Sequence, residues 1–191
     1  GLLLRRVNGT FVTPPPLLGT VGHRSPQFFE QGPNGHLFVE YWYTSSSIQE
    51  FDGGEWNTLP HGWILSAFAA PPNGALIGAD PLYNGKILRW NGYAWAEDST
   101  YGSAPNRPRI RDFHVVGPSE VLAVGERETI LRGTGGDDWT FVHGPGATGT
   151  QAYEQVSAAS HTDVWLAETD GAIRHFDGTN EARVKAPRRQ V

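Results

Sequence analysis

The chain has 191 residues, of which 38% are hydrophobic and 12% aromatic, so it can form one domain with a sizeable core. Its net charge is −5, and acids and bases are mixed along it, which argues against the basic surface of a nucleic-acid-binding protein. The chain contains no Cys, which excludes disulfides and thiolate chemistry, and no apolar run approaches the ~20 residues needed to span a bilayer.

A six-residue motif recurs along the whole chain. Its clearest copy is Ile173–Gly178; others are Ile48–Gly53, Ile87–Gly92, the degraded Ile130–Gly135 and, near the N-terminus, Leu4–Gly9. Measured at the Asn, Asp or Thr position, the spacings are 44, 39, 43 and 43 residues. A period of about 40 to 45 residues built from short strands is typical of a β-propeller blade. We therefore predict an all-β chain, a small β-propeller of four four-stranded blades plus an N-terminal half-blade, or about five blade positions.

The predicted elements follow this period in chain order. Residues 2–12 read as a hairpin that turns at Asn8-Gly9, and Pro14-Pro15-Pro16 ends it because proline cannot join a ladder. Each later unit contains four short apolar runs separated by turn residues, and no window has a helical period. Within a single domain, the half-blade is assigned to residues 1–16, the blades to about residues 17–60, 61–104, 105–147 and 148–187, and a short basic tail to residues 188–191.

The opening hairpin has no evident partner strands. The predicted total of 18 strands makes four and a half blades, whereas a propeller ring usually closes by completing one blade with strands from both chain ends. Missing upstream strands, a second chain that supplies them and a misphased blade are three open explanations. The chain begins at Gly1 and contains no Met, which a removed signal peptide, a residual tag or excision from a longer chain would each explain.

The repeats resemble bacterial β-propeller repeats of the form Asp-Val-Trp-Ala-Val-Gly … Gly-x-Ile-x-x-(Phe/Trp)-(Asn/Asp)-Gly-x-x-Trp. Residues 163–166 and 171–178 carry one copy of the pattern, and residues 85–95 carry a second. The resemblance covers nearly the whole chain and implies the propeller fold. Such repeats occur in lectins, adhesion modules and enzyme subunits alike.

Three departures from the repeat pattern stand out. Glu181 occupies the position where Trp56 and Trp95 predict a tryptophan, and the third blade has Gly133-Thr134-Gly135 in place of the aromatic-Asn/Asp-Gly turn. The stretch 50–52 lacks the Ser that a sialidase-type Asp-box places two residues before its Asp. The last departure weakens an inference of sialidase-like activity.

Five tryptophans occupy repeated or strand positions. Trp56, Trp95 and Trp139 follow the turn residue of three motif copies by four or five residues, so we predict that they pack between blades. Burying a ring of this size contributes about 2–3 kcal/mol. We predict the same core role for Trp90 and Trp165.

The best candidates for ligand binding are aromatic and polar residues of the predicted channel-mouth loops. Tyr41 and Tyr43 belong to an aromatic run beside a Thr-Ser-Ser-Ser loop, Tyr83 lies in the equivalent loop of the next blade, and His61 and Trp63 precede a first strand. Aromatic faces beside hydroxyl-rich loops suit sugar rings, although packing and simple loop exposure also explain these residues. We predict a non-catalytic propeller that recognises a glycan or a protein partner through these loops, without a cofactor or a bound metal.

Two other functions stay open. A structural subunit would have its half-blade completed by another chain. A hydrolase or lyase, with or without a metal, would use Glu30 and His114, which share one first-strand position with Ser157. The His residues show no His-x-His or His-Glu-x-x-His spacing, so an enzyme is the weaker reading. A secreted or periplasmic location is expected.

Overall fold

The computed structural model describes residues 5–7, 10–12, 25–32, 35–42, 47–59, 65–72, 76–80, 85–97, 107–134, 136, 138–144 and 151–184. The described strands are β1 (Arg5–Val7), β2 (Thr10–Val12), β3 (Ser25–Gln31), β4 (Leu37–Trp42), β5 (Ser47–Phe51), β6 (Trp56–Leu59), β7 (Ala67–Ala69), β8 (Ile77–Ala79), β9 (Ile87–Trp90), β10 (Trp95–Glu97), β11 (Ile110–Gly117), β12 (Glu120–Gly125), β13 (Thr129–Gly133), β14 (Thr140–His143), β15 (Tyr153–Ser160), β16 (Asp163–Glu168), β17 (Ile173–Phe176) and β18 (Glu181–Val184).

These 18 strands form one two-stranded and four four-stranded antiparallel sheets, and within each sheet every strand pairs with its neighbours in sequence. The all-β prediction and the strand count are confirmed for the described residues. We number the four-stranded sheets blade 1 (β3–β6), blade 2 (β7–β10), blade 3 (β11–β14) and blade 4 (β15–β18). The chain divides into two compact units, Gly1–Trp63 and Ile64–Val191, which are described separately.

The first unit contains the β1–β2 hairpin and blade 1. Arg5 pairs with Val12 and Val7 with Thr10, as predicted for a hairpin, while Asn8 and Gly9 lie outside the described residues. In blade 1, the ring of Trp56 lies 5.1 Å from that of Phe51. Together with Leu37 and Val39 these rings form a buried cluster within blade 1, so the core role of Trp56 is confirmed and its packing between blades stays a prediction.

The recurrent motif forms the hairpin between the third and fourth strands of a blade. In blade 2, Oδ1 of Asn91 accepts hydrogen bonds from the amides of Tyr93 and Ala94 at 3.0 and 2.9 Å. Gly92 follows with a φ of 98°, a conformation that glycine adopts without strain. Asp52 and Asp177 make the same turn in blades 1 and 4, and these backbone hydrogen bonds lower the pKa of both carboxyl groups. The motif is therefore a turn that a short side chain with a carbonyl or carboxylate oxygen stabilises.

Blade 3 keeps this turn with different residues. Oδ1 of Asp138 accepts hydrogen bonds from the amide and the hydroxyl of Thr134 at 2.9 and 3.0 Å, so the carboxylate comes from the other side of the turn. Gly133 replaces the aromatic residue because the Trp139 ring lies over it, 3.0 Å from where a Cβ would be. The hairpin of blade 3 therefore departs from the motif in sequence but keeps the turn and a packed tryptophan ring.

In the second unit blade 2 packs against blade 3, and blade 3 packs against blade 4. We call the side of a blade that points to the following blade its forward face and the opposite side its rear face. The forward face of blade 2 meets the rear face of blade 3 in one buried cluster, and the forward face of blade 3 meets the rear face of blade 4 in another. Forward residues in these clusters are Ile77, Ala79 and Ile87 of blade 2 and Leu122, Val124 and Ile130 of blade 3.

The predicted packing role holds for some tryptophans and fails for one. Trp95 and Trp139 are buried, and Trp90 is half-buried with its ring 5.9 Å from Trp95. Trp165 is 44% exposed, so the prediction of a core role for this residue was wrong. Its side chain lies on the forward face of blade 4, the last blade in the chain.

Polar bonds join the first strands of neighbouring blades. Oγ of Ser66 donates to the carbonyl of Ile110 at 3.0 Å, and Oδ2 of Asp112 accepts from the amide of Val156 at 2.9 Å. Nε2 of His114 lies 2.9 Å from the carbonyl of Ala158. Each of these bonds spans 44 residues, close to the period of the motif. They satisfy backbone groups that no ladder pairs, and so link successive blades.

Candidate ligand-binding face

Two kinds of loop meet at one end of the blades in the second unit. One kind connects the second and third strands within a blade, and the other leads into a first strand, of the same blade at Arg109 and of the next blade at Gln151. The amide of Glu126 donates to the carbonyl of Arg109 at 2.9 Å, and that of Glu128 donates to Gln151 at 3.2 Å. We call this surface of blades 3 and 4, residues 107–111, 126–128, 151–154 and 168–172, the loop face.

The turn between β12 and β13 holds two non-glycine residues in the left-handed region. The φ angles of Arg127 and Glu128 are 56° and 57°, where an L-residue with a Cβ is strained by about 1–2 kcal/mol. Gly144 lies directly behind this turn, with a φ of 73°. A Cβ on Gly144 would lie 2.6 Å from the carbonyl oxygen of Glu128, so this glycine is required for the approach of the two loops. Strained backbone of this kind is concentrated at functional sites.

Arg111 lies between two carboxylates from neighbouring blades. Its guanidinium is 3.4 Å from Glu126 of blade 3 and 3.4 Å from Glu154 of blade 4. Arg109 approaches Glu126 at 3.9 Å, and all four side chains are between a third and just over half exposed. Pairs that are this long and this exposed contribute little to stability, typically about 0–1 kcal/mol. These charged groups lie close together, and a ligand would rearrange them at low energetic cost because their ion pairs contribute little.

A more deeply buried ion-pair cluster lies against the loop face in blade 4. Arg174 makes ion pairs with Glu168 at 2.9 Å and with Glu181 at 2.8 Å, and the side chains of these glutamates are only 1% and 8% exposed. The hydrogen bond that Arg174 donates to Glu168 and the negative charge of Glu181 raise the pKa of Arg174, so it stays charged. The hydroxyl of Tyr153 donates to Glu181 at 2.7 Å, and burial raises its pKa. Ion pairs therefore join the charged side chains of this cluster next to the loop face.

This cluster replaces apolar residues of the repeat. The strand pairings place Tyr153, Glu168 and Arg174 at the positions of Ile110, Gly125 and Leu131 in blade 3, and Glu181 at the position of Trp139. Sequence reasoning noted Glu181 as a departure but did not connect it with Arg174. The signal was a pair of departures in one blade, a carboxylate in place of Trp and an arginine in place of Leu.

Most of the sequence-predicted site residues lie outside the described part of the chain. These are Tyr43, His61, Trp63 and Tyr83, while Tyr41 is described by its backbone, which pairs with Ser47 and Pro26 in blade 1. In the order of the elements, Tyr43 and Tyr83 belong to the same kind of connection as Arg127, because each follows the second strand of a blade. His61 and Trp63 precede a first strand, as Arg109 does. The assembly of these five residues into one site remains a prediction.

The positions proposed for catalysis share the expected register. Glu30, His114 and Ser157 each pair with the second-strand residue at the same position, Phe38, Leu122 and Trp165 respectively. His114 is engaged with the Ala158 carbonyl. Among the described residues there is no group of three or more His, Asp or Glu side chains that could hold a metal ion. Catalysis by these residues stays an untested alternative.

No helix in the described part of the chain has the length and hydropathy of a membrane span. Comparison with known proteins found no matching family model and no matching curated protein sequence.

Solved structures do match. YCF48 bound to D1 peptide superposes with a TM-score of 0.64 and 15% identity over 97% of this chain and 62% of that one. YCF48 from Cyanidioschyzon merolae gives 0.59 and 15% over 96% of this chain and 66% of that one. The extracellular domain of the two component system protein BT4673 from B. thetaiotaomicron gives 0.63 and 10%, over 96% of this chain and 24% of that one. This chain therefore spans less than two thirds of each matched chain, and its fold is a small β-propeller with four blades.

Proposed function

We propose that this chain is a non-catalytic propeller that binds a protein partner by holding an extended peptide segment of that partner against the loop face. The observation that carries the proposal is Arg111, which reaches across two blades between Glu126 and Glu154. It supplies a cation flanked by two acceptors at the place where the loops of both blades meet. A peptide with acidic and basic side chains would replace these weak ion pairs with ion pairs between its own side chains and Arg111, Glu126 and Glu154.

The chemistry of an arginine favours a carboxylate as the group recognised. A guanidinium binds carboxylates in a bidentate manner with charge assistance, which gives direction as well as affinity. Nε of Arg111 is buried and makes no hydrogen bond within the described residues. With Arg109 half-exposed beside it, the loop face offers two guanidinium groups to an acidic side chain or a C-terminal carboxylate. The peptide-bound YCF48 structure supports a peptide as the class of ligand, since both proteins share the propeller fold.

The second candidate ligand is a glycan bound by the aromatic residues Tyr41, Tyr43, His61, Trp63 and Tyr83. It is favoured by the hydroxyl-rich sequence around this aromatic run, and it uses loops of blades 1 and 2 rather than Arg111. A secreted or periplasmic location suits either ligand. The extracellular domain of BT4673 is in line with such a location.

The test is a peptide array followed by titration calorimetry of the best peptide with purified protein. Arg111→Ala is expected to weaken binding about tenfold or more, equivalent to about 1.4 kcal/mol. Arg132→Ala is the matched control, because Arg132 is an exposed arginine near the end of β13 that is farther from the Arg127–Glu128 turn. Equal affinities of the wild type and the Arg111→Ala variant would refute the proposal. Signal on a glycan array that is lost in Trp63→Ala but kept in Arg111→Ala would favour the glycan instead.

A further inference from the structure

The loops at the loop-face end of the second unit form a continuous row. Gly85 of blade 2 lies directly against the loop that enters blade 3, since a Cβ at this glycine would be 2.1 Å from the carbonyl oxygen of Pro108. Backbone hydrogen bonds join that loop to the turn between β12 and β13, and this turn to the loop that enters blade 4. The amide of Thr169 donates to the carbonyl of Ala152 at 3.0 Å, which adds the connection between β16 and β17. The row therefore follows the order of the blades, from blade 2 to blade 4.

Charged residues are segregated along this row. Residues 107–111, which enter blade 3, include three arginines and no acid, and Lys86 follows Gly85 beside them. Residues 151–154 and 168–172, at the blade 4 end, include three acids and no base. We call Lys86 and residues 107–111 the basic end of the loop face, and residues 151–154 and 168–172 its acidic end. The turn at residues 126–128, with the sequence Glu-Arg-Glu, lies between the two ends.

At the basic end one carboxylate is shared by two cations. The carboxylate of Glu97 lies 2.7 Å from Nζ of Lys86 and 2.8 Å from the guanidinium of Arg107. The hydrogen bond from Lys86 lowers the pKa of Glu97, so the carboxylate stays charged. Arg109 adds a further cation that is half-exposed. Even when the buried Asp80 is counted, basic side chains outnumber acidic ones among the described residues at this end.

At the acidic end one arginine is shared by three carboxylates. The guanidinium of Arg174 lies 2.8 Å, 2.9 Å and 3.8 Å from the carboxylates of Glu181, Glu168 and Glu128. Asp170 pairs with Arg183 at 2.6 Å, and both side chains are exposed. With Glu154 included, five acids stand against two arginines among the described residues here. The two ends of the loop face therefore carry net charges of opposite sign.

We propose that the peptide segment bound on the loop face has its charges segregated, with acidic residues in the half that contacts the basic end and basic residues in the half that contacts the acidic end. This inference rests on the proposed function and specifies the class of peptide. An extended peptide advances about 3.3 Å per residue, so alternating charges average out within the screening length of about 10 Å at 0.1 M salt. Charges grouped in halves match the two ends of the row. Such complementarity determines orientation and specificity more than raw affinity.

The experiment compares two peptides of about 12 residues with equal numbers of Glu, Lys and Ser. One peptide has all Glu in one half and all Lys in the other, and the second has Glu and Lys alternating. Fluorescence anisotropy measures their binding to the full chain at about 50 mM and about 300 mM salt. We expect the segregated peptide to bind about fivefold more tightly at low salt, and this ratio to fall towards one at high salt because the charges are then screened.

Two pairs of substitutions separate the arrangement of charge from the net charge. Glu128→Gln with Asp170→Asn removes two acids near the acidic end and should bring the ratio close to one at low salt. Ser119→Lys with Thr179→Lys changes the net charge by the same amount, but in exposed turns at the opposite end of blades 3 and 4, and should leave the ratio unchanged. Circular dichroism of each variant verifies that the fold is kept. Equal effects of the two pairs would overturn the inference.

The outcomes distinguish this inference from the proposed function. Equal affinities for the two peptides, both weakened by Arg111→Ala, would overturn charge segregation and leave the proposed function standing. Tighter binding of the alternating peptide would do the same. Binding of neither peptide, or binding that Arg111→Ala leaves unchanged, would overturn the proposed function and this inference with it.

Discussion

The Arg174 cluster of blade 4 makes a sharp prediction about stability. Replacing Arg174 by Leu gives blade 4 the residue that blade 3 has at this position, Leu131, but leaves Glu168 and Glu181 in place. Both glutamates lose an ion pair shorter than 3 Å, and Glu168 is only 1% exposed. Removing one partner of a buried ion pair costs more than the pair contributes, because the remaining charge is left without compensation.

The expected loss for Arg174→Leu is about 3 kcal/mol in the free energy of unfolding. For a chain of this length, that corresponds to a fall of about 6–12 °C in the melting temperature. Arg183→Leu is the control, because Arg183 is the cross-strand neighbour of Arg174 and is 56% exposed. Its short pair with Asp170 is exposed on both sides and its pair with the buried Glu168 is long, at 3.7 Å, so the removal of Arg183 should cost less than about 1 kcal/mol.

A third variant restores the apolar set of blade 3 as a whole. It combines Tyr153→Ile, Glu168→Gly and Glu181→Trp with the Arg174 change, so that no buried charge is left alone. We expect it to recover most of the lost stability, since replacing a buried ion-pair group by packed apolar residues is often neutral or stabilising. Urea unfolding followed by circular dichroism measures all three variants. Equal losses for Arg174→Leu and Arg183→Leu, or a combined variant that is less stable than Arg174→Leu, would refute the reasoning.

Two further predictions concern the loop face and the first strands. Arg127→Asn with Glu128→Gly should raise the unfolding free energy by about 1–2 kcal/mol, because both positions then adopt positive φ without strain; no rise in the urea midpoint would contradict this account. Burial raises the pKa of Asp112, so the folded protein holds this proton more tightly than the unfolded chain. The stabilising contribution is full below pH 3.8 and is lost as the pH rises through the folded pKa. Asp112→Asn keeps an acceptor for the Val156 amide and should gain stability relative to the wild type as the pH rises above 3.8, whereas parallel pH profiles would contradict the assignment.

The repeat motif predicted a large part of the fold because it is local chemistry. Asp or Asn followed by Gly stabilises a turn through bonds two and three residues away, so it reports the hairpin wherever it occurs. Its period also predicted the four-stranded sheets, and the register predicted equivalent positions for Glu30, His114 and Ser157. The same local pattern did not predict that Asp138 would serve the turn of blade 3, since that carboxylate comes from the opposite side of the turn.

The candidate site was predicted less well, for a physical reason. The aromatic residues Tyr41 and Tyr83 were noticed because they are unusual within their own loops. Arg111 was not noticed, because its meaning depends on Glu126 and Glu154, which lie 15 and 43 residues away in the sequence. An ion pair between residues far apart in the sequence cannot be recognised from the residue type at one position alone.

The exposure of Trp165 is a property that the sequence pattern did not predict. Periodicity and the motif determined that this chain is all-β, that its sheets have four strands and which residues share a face, because those properties depend on neighbours within one blade. Only the tertiary structure decided that Trp165 is exposed while Leu122, at the same position of blade 3, is 2% exposed. The burial of a residue on a blade face depends on what packs against that face, and the sequence pattern of one blade does not show which element packs there. Likewise, only the tertiary structure showed that Arg174 and Glu181, two departures from the repeat, form an ion pair.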